Sequence, residues 1–539
     1  MFYNSKFHAI SFVMSLFMLI VLMGFIIFMF FTQSVMIEMN VIMLNSVDFN
    51  FILYLDWISL SFMSIVLMIS FIVVFYSSDY LGVECYQFLW LTFMFIVFML
   101  IMIMSPSVLG VLLGWDGLGI VSYFLVIYYQ SKDSYNSGFI TAASNRLGDS
   151  MLILSISWMS FQGSFNFWHY SVGLVFFCVA CLTKSAQFPF SAWLPLAMAA
   201  PTPISSLVHS STLVTAGVYM MIRFSYGLHC SGLMSMLFFV SVFTIIVAGV
   251  SALYEYDMKR IVALSTLGQL GFMIMILSLG YSFISFFHLL VHALFKSMLF
   301  LCAGCLIHSG GSIQDLRKMG NCHIDLWIKA SILVSLFSLM GMPFTSGFYS
   351  KDTLIEITFC SSLGVGVGLL VLFLAMITVA YSVRLLKFLS SSNFWIFWLE
   401  SSPALNVSIM SLMILNISMG SLLNWLFMNS LNLICIPFSY KILPLVSIIM
   451  GMLWQGENLK FIHFYMSDML FIMSLTKNMS VFMKLVFTGL KLIDQGWMEF
   501  LLYKMKMLFV VNSLWVKYVL SSSMILMTVG VTLFILLFI

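Results

Sequence analysis

The sequence predicts an all-α, polytopic membrane protein, a bundle of about fifteen transmembrane helices. Three observations carry this. Hydrophobic residues make up 62% of the 539 and charged residues 8%, against about half and about a quarter in soluble domains. Mean hydropathy is +1.11. Apolar runs of roughly 20 residues, the length that crosses a bilayer, recur from one end to the other. A net charge of +3 leaves no basic footprint for nucleic acid.

The first run, 9–32, is longer than the apolar part of a signal peptide and lacks a small-residue cleavage site. No Arg- and Ser-rich presequence precedes it. For an organellar protein this implies synthesis inside the organelle, and the weight of Phe (55) and Met (45) fits an AT-rich coding genome. Residues 33–56 read as a short external hairpin. Further spans are expected at 57–77, 87–104, 107–129, 138–161, 171–188, 195–224, 231–254, 260–279, 281–308, 326–346, 360–388, 403–424, 435–453 and 516–538. Lys and Arg are too sparse in the loops to fix orientation. Residues 455–515 hold ten of the 41 charged residues. There Lys477, Lys484 and Lys491 recur every seven positions and lay a basic stripe along an amphipathic helix suited to a membrane or protein surface. Unbroken, that helix would run up to roughly 90 Å.

Two spans are interrupted. "KSAQFPFSAWLP" (184–195) and "GMPFTSGFYSKD" (341–352) place Pro and small residues at span depth. Pro removes a backbone donor, so the helix opens there. Paired interruptions in two halves of a membrane protein point to a transporter built from repeats, with its ion path at the breaks.

A charged side chain at mid-membrane costs about 2.5–3.5 kcal/mol on insertion scales. This chain nevertheless keeps Asp116, Arg146, Asp149, Lys184, His209, His288, His292, Lys296, Lys351 and Asp352 at or near that depth. In "HLLVHALFK" (288–296) the two histidines and the lysine are four apart and share one helical stripe. Taken singly, each residue could be a structural ion pair or a helix end, the Arg146–Asp149 pair and Asp352 foremost. Spread over successive helices, together they read as a proton relay. A desolvated lysine can switch protonation near neutral pH and a nearby carboxylate holds it charged. Histidine passes protons through either ring nitrogen. Ser265, Thr266 and Gln269 can hold bridging waters.

His288 and His292 also have the i,i+4 spacing of metal ligands. No carboxylate or cysteine is placed to complete a set, and Lys296 would repel a cation. "CVAC" (178–181) and "CAGC" (302–305) lie in apolar runs and read as packing residues. "GWDGLG" (114–119) and "GVGVG" (364–368) lack the strand–turn–helix context of a nucleotide site. No NADH or ATP site is expected in the chain itself.

The stretches "LLGWDGLGIVSYFLVIYYQ", "SNRLGD", "KSAQFPFSAWLPLAMAAPTPISSLVHSSTLVTAGVYMMIR", "DMKRIVALSTLGQLG", "HLLVHALFKSMLFLCAGCLIHS", "QDLRKMG" and "GMPFTSGFYSKD" closely resemble the antiporter-like membrane subunits of respiratory complex I, the mitochondrial NADH:ubiquinone oxidoreductase, and among them the distal one. The resemblance is strong over about 57–390, and "DQGWMEF" (494–500) resembles arthropod versions. It implies two inverted five-helix repeats, each with a broken helix, a long lateral helix and a C-terminal anchor. The chain then divides into N-terminal transmembrane helices and hairpin (1–105), an antiporter-like core (106–390), additional helices (391–454), the lateral amphipathic helix (455–515) and the anchor (516–539).

The resemblance further implies proton translocation across the inner mitochondrial membrane, coupled to electron transfer from NADH to ubiquinone. FMN and iron–sulfur clusters would sit on other subunits, with no cofactor or metal in this chain. By motif, Asp116 takes the place of the carboxylate that pairs with Lys184. Lys296 becomes the central relay lysine and Lys351 the lysine near the outlet. His209, His288 and His292 join a hydrated axis, with Asp149 as an accessory carboxylate. Many relatives have Glu where this chain has Asp116, so a water bridge to Lys184 competes with direct contact. The amino-terminal region is shorter than in many relatives, by about one helix. Implied partners are the neighbouring antiporter-like subunit under the lateral helix, other membrane and supernumerary subunits, and inner-membrane lipids such as cardiolipin. The alternative reading is a stand-alone cation/proton antiporter subunit with the same core.

Overall fold

A computed structural model describes residues 2–31, 33–44, 47–82, 86–161, 173–319, 325–360, 364–391, 402–428 and 437–454, with isolated positions between 486 and 507. The expected lateral helix and C-terminal anchor lie otherwise outside the described residues, as do Cys85, Cys322 and Cys435. The chain divides into two compact units, 1–470 and 471–539, and the elements below belong to the first.

Helix α1 (Phe2–Phe31) leads into the expected hairpin, β1 (Val35–Leu44) and β2 (Val47–Leu55), paired antiparallel with one irregularity at Asn40/Ile42. Helix α2 (Trp57–Tyr80) opens with a reciprocal cap. The Asp56 carboxylate accepts from the Ser59 N–H, and the Ser59 hydroxyl accepts from the Asp56 N–H, which satisfies donors that a helix start leaves free. Then come α3 (Tyr86–Met104), α4 (Val108–Val126), α5 (Lys132–Phe161) and α6 (Gly173–Lys184).

The first break follows. Ala186 takes a positive φ of 54° and the Phe188–Pro189 peptide is cis. A 3₁₀ turn, α7 (Trp193–Leu196) and a second 3₁₀ turn carry the chain to Pro201. The span expected to run unbroken over 195–224 therefore starts only at α8 (Thr202–Ile204). It continues as a π-helix over Ser205–Thr212 and becomes α9 at Leu213–Arg223. Helices α10 (Ser225–Cys230), α11 (Met234–Tyr254), α12 (Met258–Ser278) and α13 (Ser282–Ser309) complete the middle of the chain.

The second break also departs from the expected 326–346 span. Helix α14 (Leu326–Met340) stops at Gly341, whose φ of +83° closes the helix in the left-handed region that glycine reaches without strain. A separate helix, α15 (Ser346–Cys360), follows where no span was expected. Its polar content (Lys351, Asp352 and Glu356 in fifteen residues) hides it from a hydropathy reading. Helices α16 (Val365–Ser390), α17 (Pro403–Met428) and α18 (Phe438–Leu453) close the unit. Among the described residues nine helices are long and apolar enough to cross a membrane, and α6, α14 and α18 are shorter apolar helices.

Two ends of the bundle can be told apart. The hairpin is tied to the start of α4 by the Ile52 N–H donating to Ser107 Oγ (3.2 Å) and to the end of α9 by the Asp56–Arg223 ion pair (2.6 Å). At the opposite end, backbone bonds from Met258 to Gln314 and from Leu316 to Tyr256 join the start of α12 to the segment after α13. Helix α13 is the axle of the fold: α2, α12, the π segment, α14, α15 and α17 all pack on it.

Candidate functional site: a buried polar axis

All three titratable residues of "HLLVHALFK" are fully buried. None faces outward, because α13 is wrapped by neighbours on every side. Lys296 Nζ donates to Ser265 Oγ of α12. His288 bridges two helices, with Nδ1 2.9 Å from Ser350 Oγ on α15 and Nε2 3.1 Å from Gln269 Oε1 on α12. His292 lies between them, its ring centroid 6.3 Å from that of His288, and neither of its ring nitrogens has a hydrogen-bond partner.

Lys351 sits at the second break. Its Nζ donates to the Leu339 carbonyl and lies 3.4 Å from Thr378 Oγ1 of α16. The last carbonyls of any helix lack an internal partner and carry its negative dipole end. The break thus creates the acceptor that holds the lysine. Ser350, one residue earlier, hands the same helix turn to His288.

The first break uses a different side chain for the same task. The indole of Trp193 donates to the Thr183 carbonyl (3.0 Å), and Ser185 Oγ donates to that of Cys181 (2.9 Å). Lys184, the last residue of α6, is left free to reach α4. There its Nζ donates to the Trp115 carbonyl (3.3 Å) and stands 5.1 Å from the Trp115 ring centroid. Gly119 makes room for it, since a Cβ there would come within 3.4 Å of the ammonium. The Trp115 indole in turn donates to Asp149 Oδ1 (2.9 Å), and Arg146 pairs with Asp149 Oδ2 (3.2 Å).

This corrects the expected order of carboxylates around Lys184. Asp116 is half-buried and forms no ion pair with Lys184 among the described residues. Asp149 acts on the lysine more strongly than Asp116 does, and it is joined to it through Trp115. Asp116 is one methylene shorter than Glu, and Lys184 takes a main-chain oxygen one residue earlier instead.

His209 lies in the π segment, buried and with both ring nitrogens unpartnered, its ring 6.2 Å from that of Trp193. A π turn inside a helix is rare and concentrates at functional sites. Two expected residues stand apart. The Thr266 hydroxyl bonds back to the Ala263 carbonyl of its own helix (2.6 Å). Asp352 is half-buried, with Glu356 and Lys441 as its electrostatic neighbours. Trp115, Ser350 and Thr378 complete the axis and were not expected. The first two sit beside singled-out residues in "GWDG" and "YSKD", which is the only signal the sequence offers for them.

The arrangement can pass protons. A line of amines and imidazoles is held by hydroxyls, amides and carbonyls. Residues 105–378 match the NADH:quinone oxidoreductase/Mrp antiporter transmembrane family. The chain is 42% identical over 505 residues to NADH-ubiquinone oxidoreductase chain 5 of Aedes aegypti, covering 86% of each. It is 42% identical over 479 residues to that of Locusta migratoria, covering 83% of this chain and 84% of the relative. Among solved structures, the Mrp complex of Dietzia sp. DQ12-45-1b superposes with a TM-score of 0.74 at 22% identity, over 95% of this chain and 63% of that one. An archaeal membrane-bound sulfane sulfur reductase superposes at 0.69 and 20% identity, over 82% and 92%. The fold is thus the one these membrane complexes share, and the chain belongs to the NADH-ubiquinone oxidoreductase chain 5 family.

Proposed function

We propose that the buried axis of this complex I membrane subunit is the path by which protons cross the mitochondrial inner membrane, driven by electron transfer from NADH to ubiquinone on other subunits. One observation supports this above the rest. Lys184, Lys296 and Lys351 are buried and make no ion pair among the described residues. A lysine held only by neutral acceptors can release its proton without leaving a carboxylate stranded. The thread runs from Lys184 past Trp193 to His209, then to α13 with Lys296, His292 and His288, and through Ser350 to Lys351. The empty ring nitrogens of His209 and His292 are seats for bridging water.

The helix order supports two inverted repeats. Spans α3, α4, α5, α6–α7 and α8–α9 form one set, and α11, α12, α13, α14–α15 and α16 the other. The fourth span of each set is the broken one. Helix α3 runs toward the hairpin face and α11 away from it. The expected partners are the adjacent antiporter-like subunit, further membrane and supernumerary subunits, and inner-membrane lipids. FMN, iron–sulfur clusters, NADH and ubiquinone belong to other subunits.

Lys296→Met keeps the side chain's length and removes its proton. In the intact complex reconstituted into vesicles, protons moved per NADH oxidised should collapse while assembly persists. A wild-type ratio sinks the proposal.

A further inference from the structure

The lysines and arginines that are too sparse along the sequence to orient the chain sort to one end of the folded unit. Lys132 opens α5, Arg260 lies in the first turn of α12, Arg317 and Lys318 follow α13, and Lys387 lies in the last turn of α16. All stand at the face opposite the hairpin. On the hairpin face stand Arg223, buried against Asp56, and Lys441 near the start of α18. Positive charge stays on the side where a membrane protein is made, which for an organelle-made chain is the matrix.

At this basic face α13 ends in an exposed His308, whose ring packs 5.5 Å from that of Tyr80 at the end of α2. Tyr80 stacks on Tyr76, one turn deeper, at 5.6 Å. Tyr76 is fully buried, and its hydroxyl lies 3.2 Å from the Leu301 carbonyl and 3.5 Å from Cys305 Sγ. Tyr80 also neighbours Thr202, which is fully buried with its Oγ1 lacking a hydrogen bond. Gly304 shapes this spot. A Cβ there would fall 2.5 Å from Thr202 Oγ1 and 2.6 Å from the Tyr76 hydroxyl. The missing side chain leaves two hydroxyls facing each other across a gap that one water can bridge. A buried hydroxyl without a partner costs about 1–3 kcal/mol, whereas an ordered bridging water is nearly as good as a direct bond.

From here two routes lead inward. Thr202 opens α8, which runs straight into the π segment of His209. Leu301 is five residues from Lys296 on α13, roughly 7.5 Å along the helix. We propose that His308, Tyr80, Tyr76 and Thr202 line a hydrated branch that admits protons from the basic face to the buried axis. This rests on the axis being a proton path. Each hydroxyl or bound water accepts a proton on its oxygen and releases its own to the next, so no covalent bond is lost and no charge is left behind.

The test compares variants of the intact complex in vesicles. Tyr76→Phe and Thr202→Val keep shape and remove the hydroxyl. Both should lower protons moved per NADH, while Tyr219→Phe, which removes a buried hydroxyl bonded to the Ile103 carbonyl (3.1 Å), should not. If both keep the wild-type ratio while Lys296→Met loses it, the branch is wrong and the axis stands. If all three keep it, the axis itself is wrong. Should Tyr76→Phe fail to assemble, Thr202→Val decides alone. A high-resolution map of the complex should also show a water between Thr202 Oγ1 and the Tyr76 hydroxyl, and a dry gap there overturns the proposal.

Discussion

Replacing Asp56 by Leu should loosen the whole first half of the bundle. Asp56 carries two loads. Its carboxylate takes both guanidinium nitrogens of Arg223, at 2.6 and 3.0 Å, and accepts the Ser59 N–H that caps α2. The two side chains are only 8% and 11% exposed, so losing the carboxylate strands a buried cation. Breaking such a pair from one side costs about 3–5 kcal/mol, and a lost cap adds ~1 kcal/mol. Asp56→Asn keeps an acceptor for the cap and should do less harm. The double variant Asp56→Leu/Arg223→Met removes the stranded charge, and an apolar replacement of a buried pair is often neutral. It should therefore recover most of the loss. The assay is thermal inactivation of the intact complex in detergent, read by retention of this subunit on native gels, across the cycle of single and double variants. A single variant as stable as wild type, or a double variant no better than Asp56→Leu, defeats the reasoning.

Two further outcomes follow from the site. Asp149→Asn should disturb proton translocation more than Asp116→Asn, because Asp149 accepts from Trp115 and pairs with Arg146, and hydrogen bonds to a charged group are worth about 1.5–3 kcal/mol. Proton uptake by vesicles carrying each variant decides the order. Gly347→Ala places a Cβ 1.9 Å from the Ser338 carbonyl oxygen, a clash with backbone that cannot give way. It should block assembly, whereas Gly119→Ala, facing the flexible end of Lys184, should assemble and only slow turnover. Native gels and NADH oxidation rates separate the two.

Sequence patterning reaches the membrane spans, the hairpin and both breaks, because each rests on local chemistry: apolar runs, or proline at span depth. It misses α15, whose Lys351, Asp352 and Glu356 lower its hydropathy although neighbouring helices bury its inner face. It places the lysines and histidines on the axis, since charge at membrane depth is conspicuous. It misplaces the carboxylate of Lys184, because that depends on how α4 and α5 rotate against α6, and a motif carries no rotation. Trp115 and Ser350 contribute an indole and a hydroxyl that look like ordinary apolar and small residues until the helices meet. The sorting of Lys and Arg to one face is likewise invisible along the chain. It emerges only when alternate loops are gathered.

The π segment at Ser205–Thr212 has a mechanical consequence. A π turn closes i to i+5 where an α-helix closes i to i+4, so it absorbs one additional residue. Removing that residue would restore an α-helix and swing everything after it by about 100°. Arg223 would leave Asp56, and Tyr219 would leave the Ile103 carbonyl. The same eight residues that leave His209 unpartnered thus set the azimuth at which the next eleven meet the hairpin. A one-residue deletion there should be far less tolerated than a substitution.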